Sequence, residues 1–159
     1  MSKDLWRRVA EKLDEHDYMN GIDRTVARVG ATGEIFTPTG LVVEILKNVS
    51  LDTIQPGKSV LDPACGDGQF LIAAKWIKVF HFRASEQGAL ADIYGVDIMR
   101  DNVDLCRMRL GGGTILQGNS LDPHRRVPGQ TEVEFQLMRE LFDAPVKSLR
   151  KKPRLVKSP

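Results

Sequence analysis

The residues best placed to do chemistry fall in one short stretch, Asp62-Pro63-Ala64-Cys65-Gly66-Asp67-Gly68-Gln69-Phe70-Leu71. Its glycines, Gly66 and Gly68, let the backbone turn sharply and come close to a ligand. The donors of such a loop are main-chain N–H groups at the start of a helix, outside the carboxyl end of a strand. Cys65 sits inside it as a small side chain, since no base accompanies it to make a nucleophile. A further acid, Asp97, follows the run Ala91-Asp92-Ile93-Tyr94-Gly95-Val96. At the tip of the second strand of a βαβ unit an acid can accept both hydroxyls of a ribose. The other reading of Asp97 is an N-cap for the helix that starts near Arg100. Ile98 and Met99 offer an apolar floor to an adenine ring. Asn119 has both a donor and an acceptor for an adenine edge, although Gly118-Asn119 is also ordinary turn chemistry. Asp122 is either a further polar contact or the end of a turn before Pro123. His16, His81 and His124 stand apart from any Cys or acid at metal-ligand or triad spacing, so no metal is expected.

These residues need elements to hold them. Val60-Leu61 reads as a buried strand ending at Asp62, and Phe70, Leu71, Ala74, Ile77 and Val79-Phe80 mark a helix behind the glycines. Residues 91–98 predict a second strand. Val103, Leu105, Cys106, Met108 and Leu110 predict a helix stopped by Gly111-Gly112-Gly113. Thr114-Ile115-Leu116-Gln117 begins a third strand. Strand and helix in alternation predict an α/β fold with a parallel sheet. Upstream, Leu5, Trp6, Val9 and Leu13 place an amphipathic helix over residues 3 to about 19, closed by Gly21, with 22–28 as a second short helix or a link. Thr37-Pro38 predicts a helix start with Pro38 in its first turn and an apolar face of Leu41, Val42, Ile45 and Leu46. A capping threonine is the plain alternative role for that segment. Trp6 and Trp76 fit apolar helix faces. Residues 131–142 alternate like a strand at the start and read as a helix at the end.

The chain has 159 residues with 42% hydrophobic and 28% charged residues and a net charge of +2, as in an ordinary soluble domain. No apolar run approaches the ~20 residues that span a bilayer, and Met1 to Arg8 has no secretory core behind its charges. A cytoplasmic, reduced, metal-free protein with no membrane association is expected, its two cysteines making no disulfide framework. Lys147, Arg150, Lys151, Lys152, Arg154 and Lys157 make residues 144–159 basic with no acid, either a phosphate-binding arm or a solvated terminus. The expected organisation is a helical segment over 1–30, a core over 31–143 and a basic tail over 144–159.

Four motifs in order, Gly-Glu-Ile-Phe-Thr-Pro at 33–38, Asp-Pro-Ala-Cys-Gly-Asp-Gly-Gln-Phe-Leu at 62–71, Gly-Val-Asp-Ile at 95–98 and Ile-Leu-Gln-Gly-Asn-Ser-Leu at 115–121, resemble those of N6-adenine DNA methyltransferases. The subgroup it is most similar to includes the modification subunits of type I restriction systems. The resemblance implies a Rossmann-like core that binds S-adenosylmethionine. By it, Phe36 and Thr37 contact the methionine moiety. Asp62, Pro63, Ala64, Cys65, Gly66, Asp67 and Gly68 pass beneath the cofactor and around its amino-acid end, with Phe70 behind them and Asp67 near the amino group. Asp97 holds the ribose, Ile98 packs on the adenine, Asn119 lies at its amine, and Ser120 is a further cofactor-binding residue. Asn119 stands where the family more often has an aspartate.

The family's Asn/Asp-Pro-Pro-aromatic motif, which clamps the target amine and stacks on the flipped base, has no match here. Pro123, Pro128, Pro145, Pro153 and Pro159 are all isolated from one another. No catalytic residue is therefore assigned. In a sheet of order 3-2-1-4-5 the strand ending at Asp62 would lie at an open edge. Either residues 132–137 fill that edge or another chain does, so a homo-oligomer or a complementing methyltransferase or specificity chain is expected, with DNA as the implied partner. The alternatives are a non-catalytic S-adenosylmethionine-binding regulator or decoy in a restriction-modification or phage-type setting, and a remnant that folds without binding cofactor.

Overall fold

The computed structural model describes residues 3–15 and 37–143, and within them a three-stranded sheet is packed by six α-helices. The strands β1 (Val60–Asp62), β2 (Ile93–Asp97) and β3 (Thr114–Gln117) are parallel and lie in the order β1-β2-β3. Asp62 pairs with Gly95 and Asp97 with Gln117, so the three carboxyl ends lie along one edge of the sheet. The helices, numbered as described, are α1 (Lys3–Asp14), α2 (Thr39–Lys47), α3 (Gln69–Phe80), α4 (Glu86–Leu90), α5 (Arg100–Leu110) and α6 (Glu132–Asp143). The α/β architecture and the three parallel strands are those expected from the alternating pattern.

Side-chain alternation divides the sheet into two faces. Ile93 and Ile115 point into a core shared with Leu5, Trp6, Val9 and Leu13 of α1, Val42 and Leu46 of α2, Leu71 and Ile77 of α3, and Val103, Cys106 and Leu110 of α5. Val96 and Leu116 point the other way, onto Met138 of α6. Val9 and Leu13 are completely buried, each contributing about 1.5–3 kcal/mol by leaving water. Basic side chains extend the α1–α3 contact: the Arg8 guanidinium lies 3.8 Å over Phe80 and the Lys12 ammonium 4.7 Å over Trp76. The turn before β1 hangs on the buried Lys78, whose Nζ donates to the Lys58 carbonyl at 2.9 Å beside Asp92.

The structure corrects several expectations. Helix α1 ends at Asp14 rather than near 19, and residues 16–36, with the 22–28 helix and the Gly21 stop, lie outside the described residues. Pro38 is the N-cap of α2, with extended backbone and its carbonyl accepting from Leu41 and Val42; no side chain caps this end. The buried face of α2 is Val42, Val43 and Leu46, while Leu41 and Ile45 are 46% and 42% exposed. A run of apolar residues in a short helix leaves its face undetermined until α1 and α3 pack against it.

A further correction concerns residues 132–137, which form the first turns of α6 and not a strand. Thr131 and Glu134 make a reciprocal capping box: the Glu134 N–H donates to Thr131 Oγ1 at 3.2 Å and the Thr131 N–H to Glu134 Oε2 at 3.0 Å. The Glu134 carboxylate also takes Arg100 and Arg107, at 2.6 and 2.8 Å, which fixes α6 to α5. Among the described residues nothing pairs with the outer side of β1, and Leu61 there is 40% exposed. No described helix is long and apolar enough to cross a membrane.

Candidate functional site

At the carboxyl ends of the strands the chain turns through residues 63–68 between β1 and α3. Gly66 and Gly68 both have positive φ, 53° and 91°. At Gly68 glycine is required twice, because a Cβ there would also stand 2.6 Å from Cys106 Sγ of α5. Backbone bonds fix the loop: the Cys65 N–H donates to the Val96 carbonyl and the Gly68 N–H to the Cys65 carbonyl, each at 2.8 Å. Gly95 in β2 allows this close seat, since a Cβ there would meet Leu71 Cδ1 at 2.6 Å and Cys65 Sγ at 3.1 Å.

Asp97 joins the two motifs. Its Oδ2 accepts from the Gly66 N–H at 2.9 Å, and its Oδ1 from the Met99 N–H at 2.8 Å and Asn102 Nδ2 at 3.2 Å. These bonds tie the glycine loop to the segment that leads into α5, whose N-cap is Met99 with no side-chain cap, so Asp97 orients the loop without being the N-cap of that helix. Asp62 turns back on its own loop and accepts from the Ala64 N–H at 3.1 Å. Burial pushes the Asp62 carboxyl up, the Ala64 hydrogen bond opposes this, and the nearby negative charge of Asp97 raises it further. Two carboxylates therefore make this rim electronegative. Cys65 is buried with its thiol against Cys106; that hydrogen bond and burial hold it well above the usual thiol range, a neutral packing group.

The third strand contributes through a turn. Ser120 Oγ donates to the Pro63 carbonyl at 2.6 Å, which ties this turn to the glycine loop. Asn119 Oδ1 accepts from the Leu121 N–H at 3.0 Å, so its acceptor serves the turn itself. Ile98 is 51% exposed next to Asp97, Phe70 is half-buried against the core, and Pro63 and Ala64 are exposed. Thr37 is half-buried before α2, and no hydrogen bond among the described residues links it to the loop; Phe36 lies outside them. The structure thus brings together the 62–68 loop, Asp97, Ile98 and the Asn119-Ser120 turn.

Asp67 departs from expectation. Only 2% exposed, its carboxylate is turned inward to Arg109 of α5 at 2.7 Å instead of toward the open side of the loop. Arg109 is the site residue that the sequence did not disclose, since a charged residue on a helix normally reads as a solvated one. A separate depression of about 560 Å³ lies at the other end of the sheet, lined by Glu86, Leu90 and Gly111 to Thr114. Ligands of parallel sheets sit outside the carboxyl ends, and the depression carries none of the motif residues.

A family model described as N-6 DNA Methylase matches residues 22–119. No solved structure matches the chain. The matched span is more than half the chain and takes in α2, the glycine loop, Asp97 and the third strand as far as Asn119. The chain belongs to the N-6 DNA methylase family.

Proposed function

We propose that this chain is the S-adenosylmethionine-binding part of a Rossmann-like adenine N6 DNA methyltransferase. The observation that carries this reading is the contact of the Asp97 carboxylate with the Gly66 N–H at 2.9 Å, at the carboxyl ends of parallel strands. This contact supports the reading because it sets a carboxylate, the ribose acceptor in this proposal, beside a glycine turn. The residues fit the group in charge and in one apolar contact: the carboxylates of Asp62 and Asp97 favour a cation, and the exposed Ile98 offers its adenine an apolar surface. When bound, S-adenosylmethionine supplies a methyl activated on a sulfonium for transfer to an amine.

In this reading Asp97 takes the ribose hydroxyls, residues 63–68 run beneath the amino-acid end, and Ser120 keeps the third-strand turn closed on Pro63. Asn119 lies at the adenine amine, and Phe36 and Thr37 approach the methionine moiety. Asp67 acts through the shape of the loop. The 159 residues contain no Asn/Asp-Pro-Pro-aromatic sequence, so the clamp on the acceptor amine comes from outside them. The outer edge of β1, with Leu61, is the place where a completing strand adds by main-chain pairing. Positioning of donor and acceptor supplies much of the acceleration in such a transfer, which is why the binding part alone is expected to be inactive. DNA is the proposed methyl acceptor, from the family. The test is incorporation of labelled methyl into adenine N6 of DNA, with and without a complementing chain. Activity that appears on complementation and is lost with Asp97→Ala supports the reading; no incorporation under any pairing removes the catalytic part of it.

A further inference from the structure

Three side chains on one face of α5 lie beneath the glycine loop: Asn102, Cys106 and Arg109, at helical spacings of four and three. All three are buried. Asn102 Nδ2 donates to Asp97, and Cys106 Sγ fills the space under Gly68. The third reaches furthest. The Arg109 guanidinium pairs with the Asp67 carboxylate at 2.7 Å, donates to the Asp67 carbonyl at 3.1 Å and Gln69 Oε1 at 2.9 Å, and approaches the Leu13 carbonyl of α1 at 3.5 Å.

We propose that Arg109 is a positioning residue for the cofactor loop, setting its backbone from beneath so that the Gly66–Gly68 segment is preformed for ligand; this rests on the S-adenosylmethionine reading above. Asp67 is the residue between the two positive-φ glycines, where the chain has most freedom. Its neighbour Gly66 is held from one side by Asp97 Oδ2, and Asp67 itself is held from the other by Arg109 through both its side chain and its carbonyl. Both holds come from the same β2–α5 unit, so the acid that meets the ribose and the loop that passes under the cofactor move as one body. A planar guanidinium can meet a carboxylate, a carbonyl and an amide oxygen together; an ammonium on a flexible stem cannot reproduce that fork. Burying an ion pair adds little net stability compared with an apolar pair of similar volume. The effect of this pair is therefore on the geometry of the loop.

Two variants test it: Arg109→Lys, which keeps the charge, and the double variant Asp67→Leu with Arg109→Met, which removes both charges from the interior together. Folding is checked by near-ultraviolet circular dichroism. Amide hydrogen exchange is then read at Cys65, Gly66 and Gly68 against Val96 in β2 and Ile77 in α3, and S-adenosylmethionine affinity by calorimetry. In both variants exchange at Gly66 and Gly68 is expected to rise about tenfold or more with Val96 and Ile77 unchanged, and the dissociation constant to rise about tenfold or more. Loop exchange that rises only in step with the whole molecule, or full affinity in Arg109→Lys, would overturn the proposal. If the wild-type chain binds no S-adenosylmethionine, the cofactor reading fails, and selective loss of loop protection still upholds the positioning role.

Discussion

Replacing Gly68 by alanine adds a single carbon at the point where the backbone φ is 91° and ψ 17°. Two costs follow. An L-residue in this left-handed region is strained by roughly 1–2 kcal/mol. The new Cβ would also stand 2.6 Å from Cys106 Sγ and 3.5 Å from Cys106 Cβ, an overlap inside a packed core that costs about 1–3 kcal/mol to relieve. The total, about 2–5 kcal/mol, is a large share of the 5–15 kcal/mol that holds a domain of this size together. Urea unfolding followed by the fluorescence of Trp6 and Trp76 in the α1–α3 core measures it. Adding Cys106→Ala makes room for the methyl and leaves φ unchanged. The double variant is therefore expected to recover the overlap share, giving a coupling of about 1–3 kcal/mol in a double-mutant cycle, while the strain share persists. Stability of Gly68→Ala within about 0.5 kcal/mol of the wild type, or no coupling with Cys106→Ala, would refute this account of why glycine stands at 68.

Two other outcomes follow from the geometry. Burial pushes the Glu134 carboxyl up, but Arg100, Thr131 and Arg107 outweigh it and hold it well below its ordinary value of 4.5. A depressed acid stabilises the fold above its unfolded pKa and loses that contribution as the pH falls toward its folded value. Glu134→Gln is therefore expected to lower stability at neutral pH, with the gap to the wild type closing progressively below about pH 4.5; a gap independent of pH in denaturant titrations would refute it. Leu61 is 40% exposed on β1, whose outer edge pairs with nothing among the described residues, and it is the proposed contact for a completing strand. The wild type should show concentration-dependent association in sedimentation, and Leu61→Lys should stay folded and monomeric; a strictly monomeric wild type counts against completion by a second copy.

Much of the site was legible because its signals are local. Val60-Leu61 before Asp62, glycines at 66 and 68, and Ile93 to Asp97 before a helix each announce an element within a few residues, and in a parallel sheet successive strands bring their carboxyl ends to one place. What depended on distant partners was not legible. Asp67 reads as a ligand contact until Arg109 turns it inward. Residues 132–137 alternate Val133, Phe135 and Leu137 in the manner of a strand. The Thr131–Glu134 box that makes them a helix is a local signal whose strength shows only once Arg100 and Arg107 hold the same carboxylate. On α2, neighbours rather than periodicity chose between Val43 and Ile45.

Asp97 and the glycine loop are proposed to form one cofactor site. Calorimetric titration of the purified chain with S-adenosylmethionine, repeated with Asp97→Ala, tests it most directly. Saturable binding by the wild type and its loss in Asp97→Ala are expected, because the variant lacks both the proposed ribose acceptor and the partner of the Gly66 N–H. No binding by a wild-type chain shown to be folded, or undiminished binding by Asp97→Ala, would contradict it.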